Sequence, residues 1–250
     1  MNKLSHQKNT RFFLINSARF MEICSAVLPW LTGATVFFLI LGLVLVIYSP
    51  DDYQQGITVR IMYIHVPFAW LSTICYIMMS AAALSSLIWN HHLADIALKC
   101  SAPIGAIFTA LALMTGALWG RPTWGTWWVW DARLTSVLIL FFIYLAIITL
   151  ACAFDNQVKA TRATAILTLI GLVNIPIIKF SVNWWNTLHQ SASLLRSGGT
   201  TIDGPMLWPL IIMMFCFTLL FILLNLMAMQ NEIIRRHIQT LQTKITRRII

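Results

Sequence analysis

With 250 residues, 59% of them hydrophobic and only 10% charged, the chain carries far less charge than the roughly 25% of soluble domains, which argues against a water-soluble fold. The net charge of +9 comes from basic residues scattered among apolar runs instead of gathered on one surface, so no nucleic-acid partner is expected. A hydrocarbon core about 30 Å thick takes about 20 helical residues, and membrane helices become the primary assignment.

Hydropathy predicts six spans, near 27–48, 63–89, 101–119, 134–153, 163–179 and 206–229. The fold class is therefore all-α: a polytopic membrane protein with both termini on one side and short outer loops. The first run, Val27 to Tyr48, is too long for a signal-peptide core and lacks an A-x-A-like exit, so it reads as a retained span. With the termini inside, the cytoplasmic segments hold Lys3, Lys8, Arg11, Arg19, Lys99, Lys159, Arg162, Arg235, Arg236, Lys244, Arg247 and Arg248. The outer segments keep Arg60, Arg121, Arg133, Lys179 and Arg196, and twelve against five sets this orientation by the positive-inside rule. No internal repeat interrupts a single membrane domain over 1–250.

Of six histidines, His6, His91, His92 and His237 fall on the expected cytoplasmic side, whereas His65 and His189 face outward. His65 opens the second span in His65-Val66-Pro67, where a proline in the first turn costs little. A helix N-terminus disfavours imidazolium, so the dipole there is expected to keep His65 neutral and able to bind iron. Cys24, Cys75, Cys100, Cys152 and Cys216 form no C-x-x-C pair, and no thiol chemistry follows.

The outer loop at 119–133 is the densest feature, with five tryptophans in the twelve residues from 119 to 130. One or two indoles anchor a span end in the headgroup layer, but this density exceeds anchoring. Trp124, Trp127, Trp128 and Asp131 follow i, i+3, i+4, i+7 spacing, which predicts a short helix gathering them into a flat apolar platform. Such a platform suits a large planar ligand, with porphyrin, quinone and sterol-like molecules all open.

In the fifth span, Asn174 and Pro176 are placed to interrupt a helix or line a cavity. Beyond it lies Asn183-Trp184-Trp185-Asn186-Thr187-Leu188-His189-Gln190; if helical, Trp185 and His189 share a face. Two outward histidines from separate loops, with an indole-rich loop between them, match the needs of six-coordinate haem. Arg60, Arg121, Arg133 and Arg196 are then candidates for the propionates. Asp131 is expected to pair with Arg121 or Arg133, to accept an indole N–H, or to hold a histidine N–H. The tail at 230–250 sets Ile234, Ile238, Leu241 and Ile245 at helical spacing with basic residues elsewhere, a cytoplasmic amphipathic helix for a membrane surface or a partner.

The chain has no P-loop, H-E-x-x-H or G-x-S-x-G pattern, so energy from ATP would come from another subunit and no hydrolytic enzyme is expected. The span centres also lack the carboxylates and lysines that ion-coupled transporters use.

The run from Trp119 through Asp131, with its Trp-Gly-Thr-Trp-Trp-Val-Trp-Asp core at 124–131, resembles the WWD signature of haem-handling proteins in cytochrome c biogenesis. Six spans, this length and one outward histidine on each side are similar to the haem-delivery branch of that family, cytochrome c maturation protein C. Larger members have more spans and further histidines. The resemblance implies that His65 and His189 are axial ligands to the iron of non-covalently bound haem b. It implies that Trp119, Trp124, Trp127, Trp128, Trp130 and Asp131 form the haem-contacting site; Arg121, Arg133 and Trp185 complete the expected set. It further implies a bacterial inner-membrane protein, not an enzyme, that presents haem on the periplasmic face to a membrane-anchored haem chaperone. The implied partners are an ABC-type ATPase, its membrane subunit and a very small membrane protein. The alternatives are a haem-translocating permease subunit of an ABC-type exporter, a quinone-linked oxidoreductase or direct haem ligase, and a scaffold for the ABC complex.

Overall fold

The structure, a computed structural model, describes residues 17–189 and 199–249, with side chains through residue 246. Lys3, His6, Lys8, Arg11 and Arg196 lie outside the described residues. Among the described residues, six helical segments are long and apolar enough to cross a membrane. They comprise α1 (Ser17–Tyr48), α2 (Met62–Trp89), α3 (His92–Trp124), α4 (Ala132–Cys152), α5 (Gln157–Gly171) with α6 (Asn174–Trp184) as one broken span, and α7 (Gly204–Ile249). A 3-10 turn, Ile57–Ile61, leads directly into α2.

Lipid tails supply no hydrophobic drive between helices, so close packing and interhelical hydrogen bonds, each about 1 kcal/mol, must hold the bundle. Three fully buried tyrosines do this between elements. Tyr144 of α4 donates to Ser72 O of α2 (2.7 Å) and Tyr76 of α2 to Thr168 O of α5 (2.9 Å). Tyr63 shares a 2.5 Å hydrogen bond with Ser49. Gly105 and Gly171 make this possible, since a Cβ at either would run into the Tyr144 or Tyr76 ring. α1 packs chiefly on α7 and keeps most of its surface for lipid.

The fifth span breaks between α5 and α6, as Asn174 and Pro176 led one to expect. The buried Asn174 amide there donates to Ser136 O of α4 (2.9 Å), so the break also serves as a packing joint. Pro67 sits inside α2, and the helical segment already begins at Ile57. α2 itself starts at Met62 after that 3-10 turn, so His65 is its fourth residue, at the end of its first turn. α7 runs past its apolar portion without interruption, leaving Ile234, Ile238, Leu241 and Ile245 exposed. At the same end, buried Glu232 accepts from Lys99 (3.0 Å), Arg235 (2.7 Å) and Arg236 (2.9 Å).

α3 has 33 residues, about 50 Å at 1.5 Å per residue, well beyond a core of about 30 Å. Its surplus carries residues 115–124 toward the end of the bundle where α1 and α6 finish and α2, α4 and α7 begin.

Candidate functional site

The tryptophan loop is not a helix. α3 ends at Trp124 because Gly125 takes a left-handed conformation (φ 76°) and its N–H bonds Arg121 O (3.0 Å), a glycine stop at low steric cost. The Arg121 guanidinium closes the same turn on Gly125 O. Thr126 then folds over Trp128, accepting its N–H (3.4 Å) and donating to its carbonyl (3.0 Å). Asp131 starts α4 as its N-cap, with Oδ1 accepting from Leu134 N–H (2.7 Å). The expected helical face of Trp124, Trp127, Trp128 and Asp131 is thus overturned: one residue ends a helix, the next two lie in an irregular loop, and the fourth caps another helix.

The second expected helical pair fails likewise. α6 ends at Trp184, Trp185 is extended (φ −133°, ψ 156°), and His189 lies outside any helix. The loop nevertheless delivers His189 to the tryptophan loop. Its Nδ1 lies 3.3 Å from Asp131 Oδ2, and its ring meets the Trp124 indole edge-on at 4.9 Å. A carboxylate oxygen only accepts, so Nδ1 carries the proton and Nε2 keeps its lone pair. Of the three roles expected for Asp131, histidine support is the one observed, alongside capping. Burial pushes the His189 pKa below the ordinary histidine value, and Asp131 opposes that shift without reversing it.

His65 stands on α2, its Nδ1 3.1 Å from Thr115 Oγ1 of α3 and its ring 5.7 Å from the Trp119 indole. The Trp119 N–H donates to Gln55 Oε1 (2.8 Å), and Gln55 is tied through its own N–H to Asp52 (2.8 Å). Thus the loop before α2 holds one wall of the site. The Arg133 charge also acts on His189, in the same direction as burial. Arg133 itself is fastened to α6 through Ser181 Oγ (3.3 Å) and Ile178 O (3.4 Å). Arg60 is tied to Asp51 (3.3 Å).

The tryptophans divide into groups. Trp119 and Trp124 each flank a histidine; Trp128 and Trp130 meet at 5.5 Å; Trp185 pairs with Trp184 at the end of α6. Trp127, Trp130 and Trp185 are 57%, 75% and 51% exposed, a large apolar surface at a membrane boundary. The Trp128 Nε1–H is buried without a hydrogen-bond partner among the described residues, an arrangement a bound acceptor such as a carboxylate would relieve. Thr115, Gln55 and Gly116 escaped sequence reasoning. The available signal was spacing: Thr115 precedes Trp119 by one helical turn and so shares its face.

Together these residues offer two unprotonated imidazole nitrogens, indole walls and an unpaired donor, a set suited to a metal-bearing planar macrocycle with acidic side groups. The comparisons with known proteins agree in kind. The family model described as "Heme exporter protein C" matches residues 11–244. A "Heme exporter protein C" of Bradyrhizobium diazoefficiens is 58% identical over 92% of this chain and 87% of its own length. That of Escherichia coli K12 is 48% identical over 86% and 87%, and that of Paracoccus denitrificans 41% over 93% and 97%. The chain belongs to the Heme exporter protein C family.

Proposed function

We propose that the chain handles haem for c-type cytochrome biogenesis: it binds haem between His65 and His189 on the periplasmic face of the inner membrane and presents it to a membrane-anchored haem chaperone. The observation that carries this is the support of His189 by Asp131, which engages Nδ1 and leaves Nε2 for axial ligation beside the Trp124 indole, with His65 set beside Trp119 on α2. Haem b is then cargo held non-covalently, through imidazole ligation that a partner's side chain would replace.

The chain's own residues bind and orient without chemistry of their own, which makes the protein a delivery factor instead of an enzyme. Trp127, Trp130 and Trp185 are exposed enough to cover one face of the cargo or to meet the chaperone. The Trp128 N–H and Arg133 favour acidic side groups. Arg121 is engaged with its own turn and contributes charge at the rim. An ABC-type ATPase, its membrane subunit and a very small membrane protein complete the assembly by family likeness, and the positive-inside rule sets the orientation.

The test mixes haem-loaded, detergent-purified protein with purified haem chaperone in the absence of ATP and of any bilayer gradient. Delivery predicts that haem moves to the chaperone in this setting. No transfer until the ATPase subunits and a sealed membrane are restored would instead favour a permease subunit.

A further inference from the structure

We infer that Thr115 is the positioning residue for His65: its hydroxyl oxygen accepts the Nδ1–H, fixing the tautomer that offers Nε2 to a metal, over a floor that Gly116 leaves open. The inference deepens the haem reading above and rests on it for its consequence, though its geometry stands alone.

A hydroxyl has one proton to give. Thr115 Oγ1 lies 2.7 Å from Leu111 O and 3.3 Å from Ala112 O, and carbonyl oxygens only accept. The proton is therefore committed to the preceding turn of α3, and the oxygen facing His65 Nδ1 at 3.1 Å can only accept. With the opposite tautomer two lone pairs would confront each other at that distance. The shared network thus assigns a proton to Nδ1 that neither residue defines alone.

Gly116 supplies the space. A Cβ there would stand 3.0 Å from His65 Cε1, 3.5 Å from Nδ1 and 3.9 Å from Nε2, so the ring lies across this glycine. One turn further, Trp119 closes the side of the seat at 5.7 Å. Positions 115, 116 and 119 of one helix thereby provide the acceptor, the floor and the wall. An acceptor on the distal nitrogen also orients an imidazole and raises its basicity toward a metal.

The experiment uses the full chain, 15N-labelled at histidine and reconstituted in lipid without haem, with the His65 resonances assigned by their loss in His65→Gln. Solid-state NMR should show the Nδ1-protonated tautomer in wild type and in Thr115→Ser. It should show a mixed or Nε2-protonated ring in Thr115→Val, which is isosteric and removes the hydroxyl that faces His65 together with its bond to Leu111 O. In haem-loaded samples, Thr115→Val should weaken haem retention by about tenfold, the lower end for a lost outer partner of a ligating histidine, and shift the ferric EPR g-values. Thr115→Ser should restore both, and Gly116→Ala should shift the g-values while leaving the tautomer intact. An Nε2-protonated His65 in wild type, or wild-type NMR and EPR spectra in Thr115→Val, overturns the inference. If His65→Ala leaves the haem spectrum unchanged, the haem reading fails, and the apo NMR still decides the seat. If His65→Ala abolishes binding and Thr115→Val changes nothing, only the seat fails.

Discussion

The two histidines proposed to hold haem stand on opposite kinds of structure. His65 sits on a continuous helix, its neutral acceptor on the helix that packs against it, with glycine beneath and tryptophan beside it. His189 sits in an irregular loop, supported by a carboxylate that also caps a helix. One station is set by a neutral hydroxyl on a packed helix; the other is held by a charge-assisted partner, the Asp131 carboxylate. The contrast suggests a division of labour. Under the proposed function, the fixed ligand would set where the cargo sits and the loop ligand would be the one that a partner exchanges.

Several measurements would break or sharpen this contrast. The largest expected effect is His65→Ala, which removes the fixed station and should deplete haem from the purified protein almost completely. His189→Ala should retain a residual, five-coordinate haem that added imidazole converts back to a six-coordinate spectrum. Equal depletion in both variants would erase the proposed asymmetry.

Next in size is Asp131. Asp131→Ala removes the Nδ1 acceptor and the α4 cap, and should lower haem affinity by about ten- to a hundredfold and stability by about 1 kcal/mol. Asp131→Asn keeps a capping oxygen and an acceptor while losing the charge, so its stability should stay near wild type while affinity falls. A thermal-shift assay read beside haem titration separates the two.

The pH dependence follows from the direction of the His189 shift. Burial holds its pKa below the ordinary value, so the neutral, ligating form persists as pH falls through about 6.5. Protonation and weaker ligation set in only at lower pH. Asp131 opposes the burial effect; Asp131→Asn should therefore move acid-induced haem release to still lower pH, even though affinity at neutral pH is reduced. The same sign governs folding: the contribution of neutral His189 is present above the unfolded value and is lost as pH falls toward the depressed one. Haem release already at pH 7 in wild type would contradict this.

The smallest effect is a control away from both stations. Tyr144→Phe deletes the bond to Ser72, worth about 1 kcal/mol, and should lower the melting temperature slightly without altering the haem spectrum.

The helix-forming runs were legible because span length and hydropathy are strong, local signals, and the break before Asn174 announced itself through Asn174 and Pro176. The tryptophan loop was legible as a platform but not in shape. Gly125 after Trp124 and Asp131 before Ala132 are stop and start signals, and these local backbone preferences overrode an i, i+3, i+4, i+7 spacing that suggested one helical face. Trp185 and His189 failed as a helical pair because α6 ends one residue before Trp185. Thr115 was invisible for a different reason: a threonine inside an apolar span normally bonds its own preceding turn, as this one does. Only the approach of α2 reveals that its second capacity is used by His65.

The most direct test of the account is the absorption and EPR spectrum of the detergent-purified protein, produced together with its haem chaperone, for wild type, His65→Ala and His189→Ala. The account predicts a low-spin six-coordinate spectrum in wild type, lost in His65→Ala and changed to five-coordinate in His189→Ala. A wild-type spectrum in either variant would contradict it, because the iron would then be held by other residues.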